Sequence, residues 1–279
     1  WNLIRTSITM TSAYGQGIIL NHFFGVILNA AQGIAGQING QLQVLSSNML
    51  KALNPILGKS AGANNKELLL KSTILGAKYS AALYLLVAIP IFIEAPYILK
   101  IWLKNIPEWT IIFVRFQLLK SFIEFQFTTL PGAINATGKI KKYTIWSSIS
   151  NIMQLPVIYL FFKISFPPYS MYISTILFGN ICVYIIAMHY AKLYYQLSIS
   201  VYFKKTLLPL YITTTLVMGL LYIVQSLFEI NSIWRLLSFI ILSILLFILT
   251  FFIIGCTKEE KNLIFELKNT ISNKIFHHN

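Results

Sequence analysis

The chain has 279 residues, 56% of them hydrophobic and only 11% charged, and its 22 Lys and Arg stand against 8 acidic residues, all of them Glu. Apolar runs of about 20 residues recur along it, each long enough to cross the roughly 30 Å core of a bilayer as an α-helix, which satisfies its own backbone in lipid. These features exclude an ordinary soluble domain, and with it the nucleic-acid binding that a formal charge of +14 would suggest in a soluble protein.

The predicted fold is an all-α integral membrane protein with spans at residues 9–31, 34–57, 72–96, 109–136, 143–163, 169–191, 207–227 and 233–255. Lys and Arg test this division. Arg5, Lys59, Lys66, Lys71, Lys139, Lys141, Lys142, Lys192, Lys204, Lys205, Lys258, Lys261, Lys268 and Lys274 fall on one side, and only Lys100, Lys104, Lys163 and Arg235 on the other. The positive-inside rule therefore supports eight spans and places both ends of the chain in the cytoplasm. The chain begins at Trp1 without a signal-peptide pattern and reads as the later portion of a longer protein.

In chain order, the first span carries Asn21, His22, Asn29 and Gln32, with His22 read as a packing group because no acid accompanies it. The second presents Gln37, Asn39, Gln41, Gln43, Ser47, Asn48, Lys51 and Asn54. So wide a polar face suits sugar hydroxyls or an aqueous vestibule, or else hydrogen bonds between helices. Gly36 and Gly40 have the spacing of a close helix contact. Lys51 and Lys78 are expected to snorkel from the span ends.

The fourth span carries a stripe of Gln117, Lys120, Ser121, Glu124, Thr128, Pro131 and Asn135 at three- and four-residue spacing. Lys120 and Glu124 lie one turn apart near its middle. They are either a self-neutralising pair that only fixes packing or a functional cation and acid, since charge at membrane depth is costly. Glu124 is read as the sole mid-span acid, and Arg115, off the stripe, as snorkelling to the outer interface.

The connection "PGAINATGKIKKYTIW" has neither the glycine spacing nor the strand-to-helix setting of a phosphate loop, and its lysines suit an anionic headgroup layer. Cys182 and Cys256 suggest neither a disulfide nor a metal site. Residues 256–279 form a predicted amphipathic surface helix, with Leu263, Ile264, Leu267, Ile271 and Ile275 on one face and His277 and His278 in a solvated tail.

The order of "NAAQGIAGQINGQLQVLSSNMLKALNPILGKSAGANN", "YILKIWLKNIPEWT", the arginine of "FVRFQLL" and "LPGAINATGKIKKYTIW" resembles the later part of a bacterial polysaccharide or O-antigen flippase. That family belongs to the multidrug, oligosaccharidyl-lipid and polysaccharide exporter superfamily. The resemblance implies a MATE-like exporter of two six-helix lobes that moves a lipid-linked oligosaccharide across the inner membrane by alternating access. On that plan residues 1–200 are the second six-helix lobe, 201–255 two additional helices and 256–279 a cytoplasmic tail, with the missing N-terminal lobe outside this chain.

The same resemblance implies a bacterial inner-membrane location, no catalytic role, no cofactor and no metal. Its expected partners are the lipid-linked oligosaccharide, membrane lipids and the polysaccharide polymerase machinery. A polyprenyl pyrophosphate is anionic and its glycan polar, so Lys120 and Arg115 are candidates for the anion, Gln37, Gln41, Asn48 and Gln117 for the sugar, and Glu124 for tuning Lys120 or carrying a coupling proton. A cation-coupled multidrug antiporter of the same superfamily is the first alternative. A membrane glycosyltransferase or polymerase is the second, disfavoured by short outer connections and the absence of Asp.

Overall fold

The computed structural model describes residues 1–227, 232–262 and 266. The regular structure among them is helical, and the chain divides into two compact units, Trp1–Thr206 and Leu207–Asn279. The first holds α1 (Asn2–Gly62), α2 (Lys66–Trp102), α3 (Thr110–Phe125), α4 (Thr129–Ala136), α5 (Lys141–Lys163) and α6 (Ser170–Tyr195). The second holds α7 (Leu208–Leu227) and α8 (Ile233–Thr250).

Helix α1 has 61 residues. Straight, it would run about 90 Å, three times the hydrocarbon thickness. It folds back at Gly25, where φ is 78° and ψ −177°, a conformation essentially reserved for glycine. A Cβ added to Gly17 would lie 3.4 Å from Asn29 Oδ1, whereas a straight helix separates such positions by about 18 Å. The junction of the first two passages is thus at Gly25, not near residues 32–33 as expected, because backbone freedom rather than side-chain polarity permits the reversal.

The two halves of α1 pack differently. Residues 2–24 run parallel to α5: Arg5 reaches Tyr143, Ser12 donates to the Asn151 carbonyl, Gly15 touches Leu155, and Phe23 and Phe24 meet Phe162. Residues 26–62 run antiparallel to α2, where Tyr84 donates to Asn39 at 2.7 Å, Ser46 donates to the Ser80 carbonyl at 2.8 Å and Leu53 meets Gly76. Asn65 starts α2 by accepting from the Leu68 amide.

Helices α3 and α4 form one passage broken at residues 126–128. Pro131 causes the break, since it lacks the N–H that would reach the Phe127 carbonyl and its ring crowds that oxygen. Backbone bonds tighten there to Phe127 N–H on Glu124 and Leu130 N–H on Phe127. The Phe125 carbonyl accepts from Ser80, the Gln126 carbonyl from Tyr202 and the Glu124 carbonyl from Tyr184. Hydroxyls from neighbouring segments thereby supply donors that water cannot supply in lipid.

Six described helices are long and apolar enough to cross a membrane. The reversal in α1 and the broken α3 and α4 bring the passages to eight, as the charge pattern predicted. In the second unit, Leu210, Val217 and Leu221 of α7 and Leu236, Phe239 and Phe247 of α8 form buried stripes at helical spacing. The predicted amphipathic tail lies almost wholly outside the described residues.

Three expectations about single residues are corrected. Lys78 does not snorkel: it is 0% exposed, because α2 is enclosed by its neighbours over residues 76–82, and its ammonium lies 5.7 Å from the Tyr79 ring. Glu124 is joined by a second enclosed acid, since α2 buries Glu94, 1% exposed, among its neighbours. Gly36 and Gly40 make no close contact within the chain, as an added Cβ would meet nothing within 4 Å. Gly76 is tightly packed between helices instead, with Leu53 Cδ1 2.7 Å from its would-be Cβ.

Candidate functional site

A cleft of about 680 Å³ opens within the first unit, walled by residues of both halves of α1 and by α3, α4, α5 and α6. Lys120 and Glu124, from the last two turns of α3, both face it and are half-buried. They lie on the same stripe as Thr128, Pro131 and Asn135, which continue the wall past the break. Among the described residues neither Lys120 nor Glu124 forms an ion pair within 4 Å. The two side chains therefore face the cleft without an ion-pair contact to each other.

The opposite wall is built of amides and hydroxyls. Gln16 on α1 donates through Nε2 to Gln154 Oε1 at 2.8 Å and Thr175 Oγ1 at 3.0 Å, and Gln154 Nε2 donates to Asn151 Oδ1 at 2.7 Å. Gln154 is buried because Gly179 of α6 comes close enough for an added Cβ to reach its Oε1 at 3.2 Å. Asn180, in the π-helical stretch Thr175–Cys182 of α6, donates to the Lys120 carbonyl at 2.9 Å. Two buried acceptors on the wall, Ser148 Oγ and Asn135 Oδ1, have no hydrogen-bond partner. With Arg5 at one edge, the wall carries two cations and one carboxylate.

The structure brings together Lys120 and Glu124 of the predicted site, but not the rest. Gln117 is half-buried outside the cleft wall. Arg115 is likewise away from it, donating through Nε to the Phe92 carbonyl at 3.1 Å with its guanidinium 5.6 Å from the Phe92 ring. Gln37, Gln41 and Asn48 stand exposed on the 26–62 half of α1 and do not line the cleft. Asn39 and Gln43 of that same face bond across helices, Asn39 to Tyr84 and Gln43 to Ser121.

Sequence reasoning missed Arg5, Gln16, Asn151, Gln154, Thr175 and Asn180. Gln154 and Asn180 gave a signal, since each is a strongly polar side chain deep in an apolar run. Among the described residues no group of three or more His, Cys, Asp or Glu side chains is placed to hold a metal ion.

A family model described as MatE matches residues 6–160, more than half of the chain and most of the cleft-forming unit. No curated protein and no solved structure matches the chain.

Proposed function

The chain belongs to the MatE family of membrane transporters, and from that premise we propose that it is the second lobe, with two additional helices, of a flippase for a lipid-linked oligosaccharide. Family membership makes it a multi-pass membrane transporter and not an enzyme. The finer reading rests on one observation: a cleft in which Lys120 and Glu124 face, across open space, a wall of Gln16, Asn151, Gln154 and Ser148.

The chemistry fits the cargo. A diphosphate needs a cation held at depth, which Lys120 offers without a neutralising partner, and Arg5 adds a second at the edge. Sugar hydroxyls exchange hydrogen bonds readily with amides and hydroxyls, which dominate the α5 and α6 side. The polyprenyl tail stays in lipid. Exposed Gln37, Gln41 and Asn48 then belong to the face turned to the first lobe, where they line the shared vestibule rather than this unit's own cleft, and the cytoplasmic side is the one rich in lysine.

Export of surface glycan by the complete protein tests this reading. Loss of export on Lys120→Ala, with protein abundance matched, supports it, and normal export removes it. A second reading, cation-coupled drug antiport, draws on a second acid, Glu94, being buried within the helical unit in addition to half-buried Glu124. It predicts drug resistance conferred by the complete protein and lost on Glu94→Gln, with surface glycan unaffected.

A further inference from the structure

The lysines of the α4 to α5 connection converge with residues distant in sequence at one edge of the cleft. Gly138, at φ 74°, turns the chain out of α4. Lys139 then places its ammonium 5.9 Å from the Tyr194 ring, and Lys141 5.8 Å from the Trp1 ring. Arg5, which lines the cleft, lies 5.9 Å from the Tyr143 ring. Tyr143 meets Tyr190 at 6.4 Å between ring centres, and Tyr190 meets Tyr194 at 5.5 Å. An aromatic rail thus runs from Lys139, through Tyr194, Tyr190 and Tyr143, to Arg5 inside the cleft.

Arg5, Lys139 and Lys141 sit on ring faces instead of carboxylates, and exposed Lys142 adjoins Lys141 in sequence. Among the described residues Arg5, Lys139, Lys141 and Lys142 have no ion-pair partner within 4 Å. A cation held over a ring keeps its charge and its N–H donors, so it is positioned without being neutralised. Three segments far apart in the chain, the start of α1, the α4 to α5 connection and the end of α6, supply this arrangement. Plain attraction to an anionic leaflet requires lysines at the interface but no path of rings into a cleft.

We propose that this ledge is the loading site for the phosphate or diphosphate headgroup of a membrane lipid, received by Lys139, Lys141 and Lys142 and passed by way of Arg5 to Lys120. The proposal rests on the flippase reading above and adds to it a first binding station outside the cleft. The ledge recognises phosphate chemistry. The rings of Tyr143 and Tyr190, buried beneath the ledge, and of half-buried Tyr194 at its surface hold the cations in line.

The test uses the complete protein in nanodiscs of phosphatidylcholine, with a fluorescent polyprenyl diphosphate as probe. Lys139→Gln, Lys141→Gln and Lys142→Gln are combined, all three positions lying at the surface or in the turn, and Lys120→Ala is measured in parallel. The triple variant is expected to bind the probe at least about tenfold more weakly, a loss of about 1.4 kcal/mol. Inorganic pyrophosphate is expected to compete in the unmodified protein only at concentrations far above the probe's, which assigns the site to the lipid-borne group.

Unchanged probe affinity in phosphatidylcholine, with loss confined to binding of phosphatidylglycerol vesicles, overturns the proposal and leaves the lysines as leaflet anchors. Competition by pyrophosphate at concentrations equal to the probe's overturns the lipid assignment in favour of a free phosphate compound. Normal binding and export by Lys120→Ala would sink the flippase reading instead. A loss with Lys120→Ala but none with the triple variant sinks the ledge alone.

Discussion

The side-chain amide of Asn180 donates a 2.9 Å hydrogen bond to the backbone carbonyl of Lys120. It ties the π-helical stretch of α6 to the turn of α3 that carries the cleft lysine. Such stretches are rare and concentrate at functional sites, where an extra residue per turn re-aims a side chain. Asn180→Ala removes this donor from a carbonyl that lies within the helical ladder of α3 and is expected to cost about 0.5–1.5 kcal/mol. The melting temperature in detergent and transport per molecule should both fall. An alanine variant with unchanged melting temperature and transport would show that the carbonyl needs no such donor.

Lys120 and Glu124 can be separated by a double substitution. If they act only as a pair, Lys120→Met with Glu124→Gln removes both charges and restores function. A cation that meets phosphate predicts that the double variant stays inactive, while Lys120→Arg keeps part of the export, because charge matters more than shape to a diffuse phosphate contact. Surface glycan at normal levels in the double variant, with abundance matched, leaves only the packing account.

Glycine substitutions should divide by contact, not by spacing. Gly76→Ala drives its Cβ to 2.7 Å from Leu53 Cδ1 and 2.9 Å from Thr129 Cγ2, and overpacking of this kind costs about 1–3 kcal/mol. Gly36→Ala and Gly40→Ala have open space among the described residues and should leave the melting temperature of this chain unchanged or slightly raised, since Ala is the better helix former. Equal effects at Gly76 and Gly36 would contradict the packing described.

Gly25 makes a sharper case. Any side chain at φ 78° and ψ −177° is strained, and Gly25→Ala should lose about 1–3 kcal/mol whatever the surrounding space. Membrane-inserted yield and melting temperature report it, and wild-type values would mean that the reversal tolerates another geometry.

Sidedness is measurable with Cys182 and Cys256 first replaced by Ser. Cysteines at Asn64 and Lys139, both exposed, should react only with thiol reagents that reach the cytoplasm. One at Asn105, also exposed, should react from outside. Lys139 is preferred to Gly138, whose positive φ disfavours a side chain. Reaction of the Lys139 position with an impermeant external reagent would reverse the orientation.

The number of passages was legible because hydrophobic length and lysine bias are properties of the chain itself. So was the stripe on α3, since helical periodicity puts Lys120 and Glu124 on one face without reference to neighbours. Burial of Lys78 was not legible: it depends on α2 being enclosed, which no pattern along α2 reports. Gln16 and Gln154 are 138 positions apart, and only the parallel packing of residues 2–24 on α5 makes them one site. The polar face of residues 37–54 misled in the opposite sense. Its Asn39 and Gln43 bond to other helices while Gln37, Gln41 and Asn48 remain exposed, a division set by rotation of the helix against α2 and α3 rather than by composition.

The break at residues 126–128 sets where this passage is mechanically soft. A continuous helix resists bending because each turn is clamped to the next by its own ladder, whereas here Pro131 has already removed a rung and hydroxyls of Ser80, Tyr184 and Tyr202 hold the carbonyls from outside. Swivelling at this joint trades side-chain contacts that can re-form with a rotated rotamer, not backbone bonds that must be broken together. The weakest point of the passage therefore lies within one turn of Glu124, while the segment bearing Lys120 is fastened to its neighbours by Asn180 and Gln43.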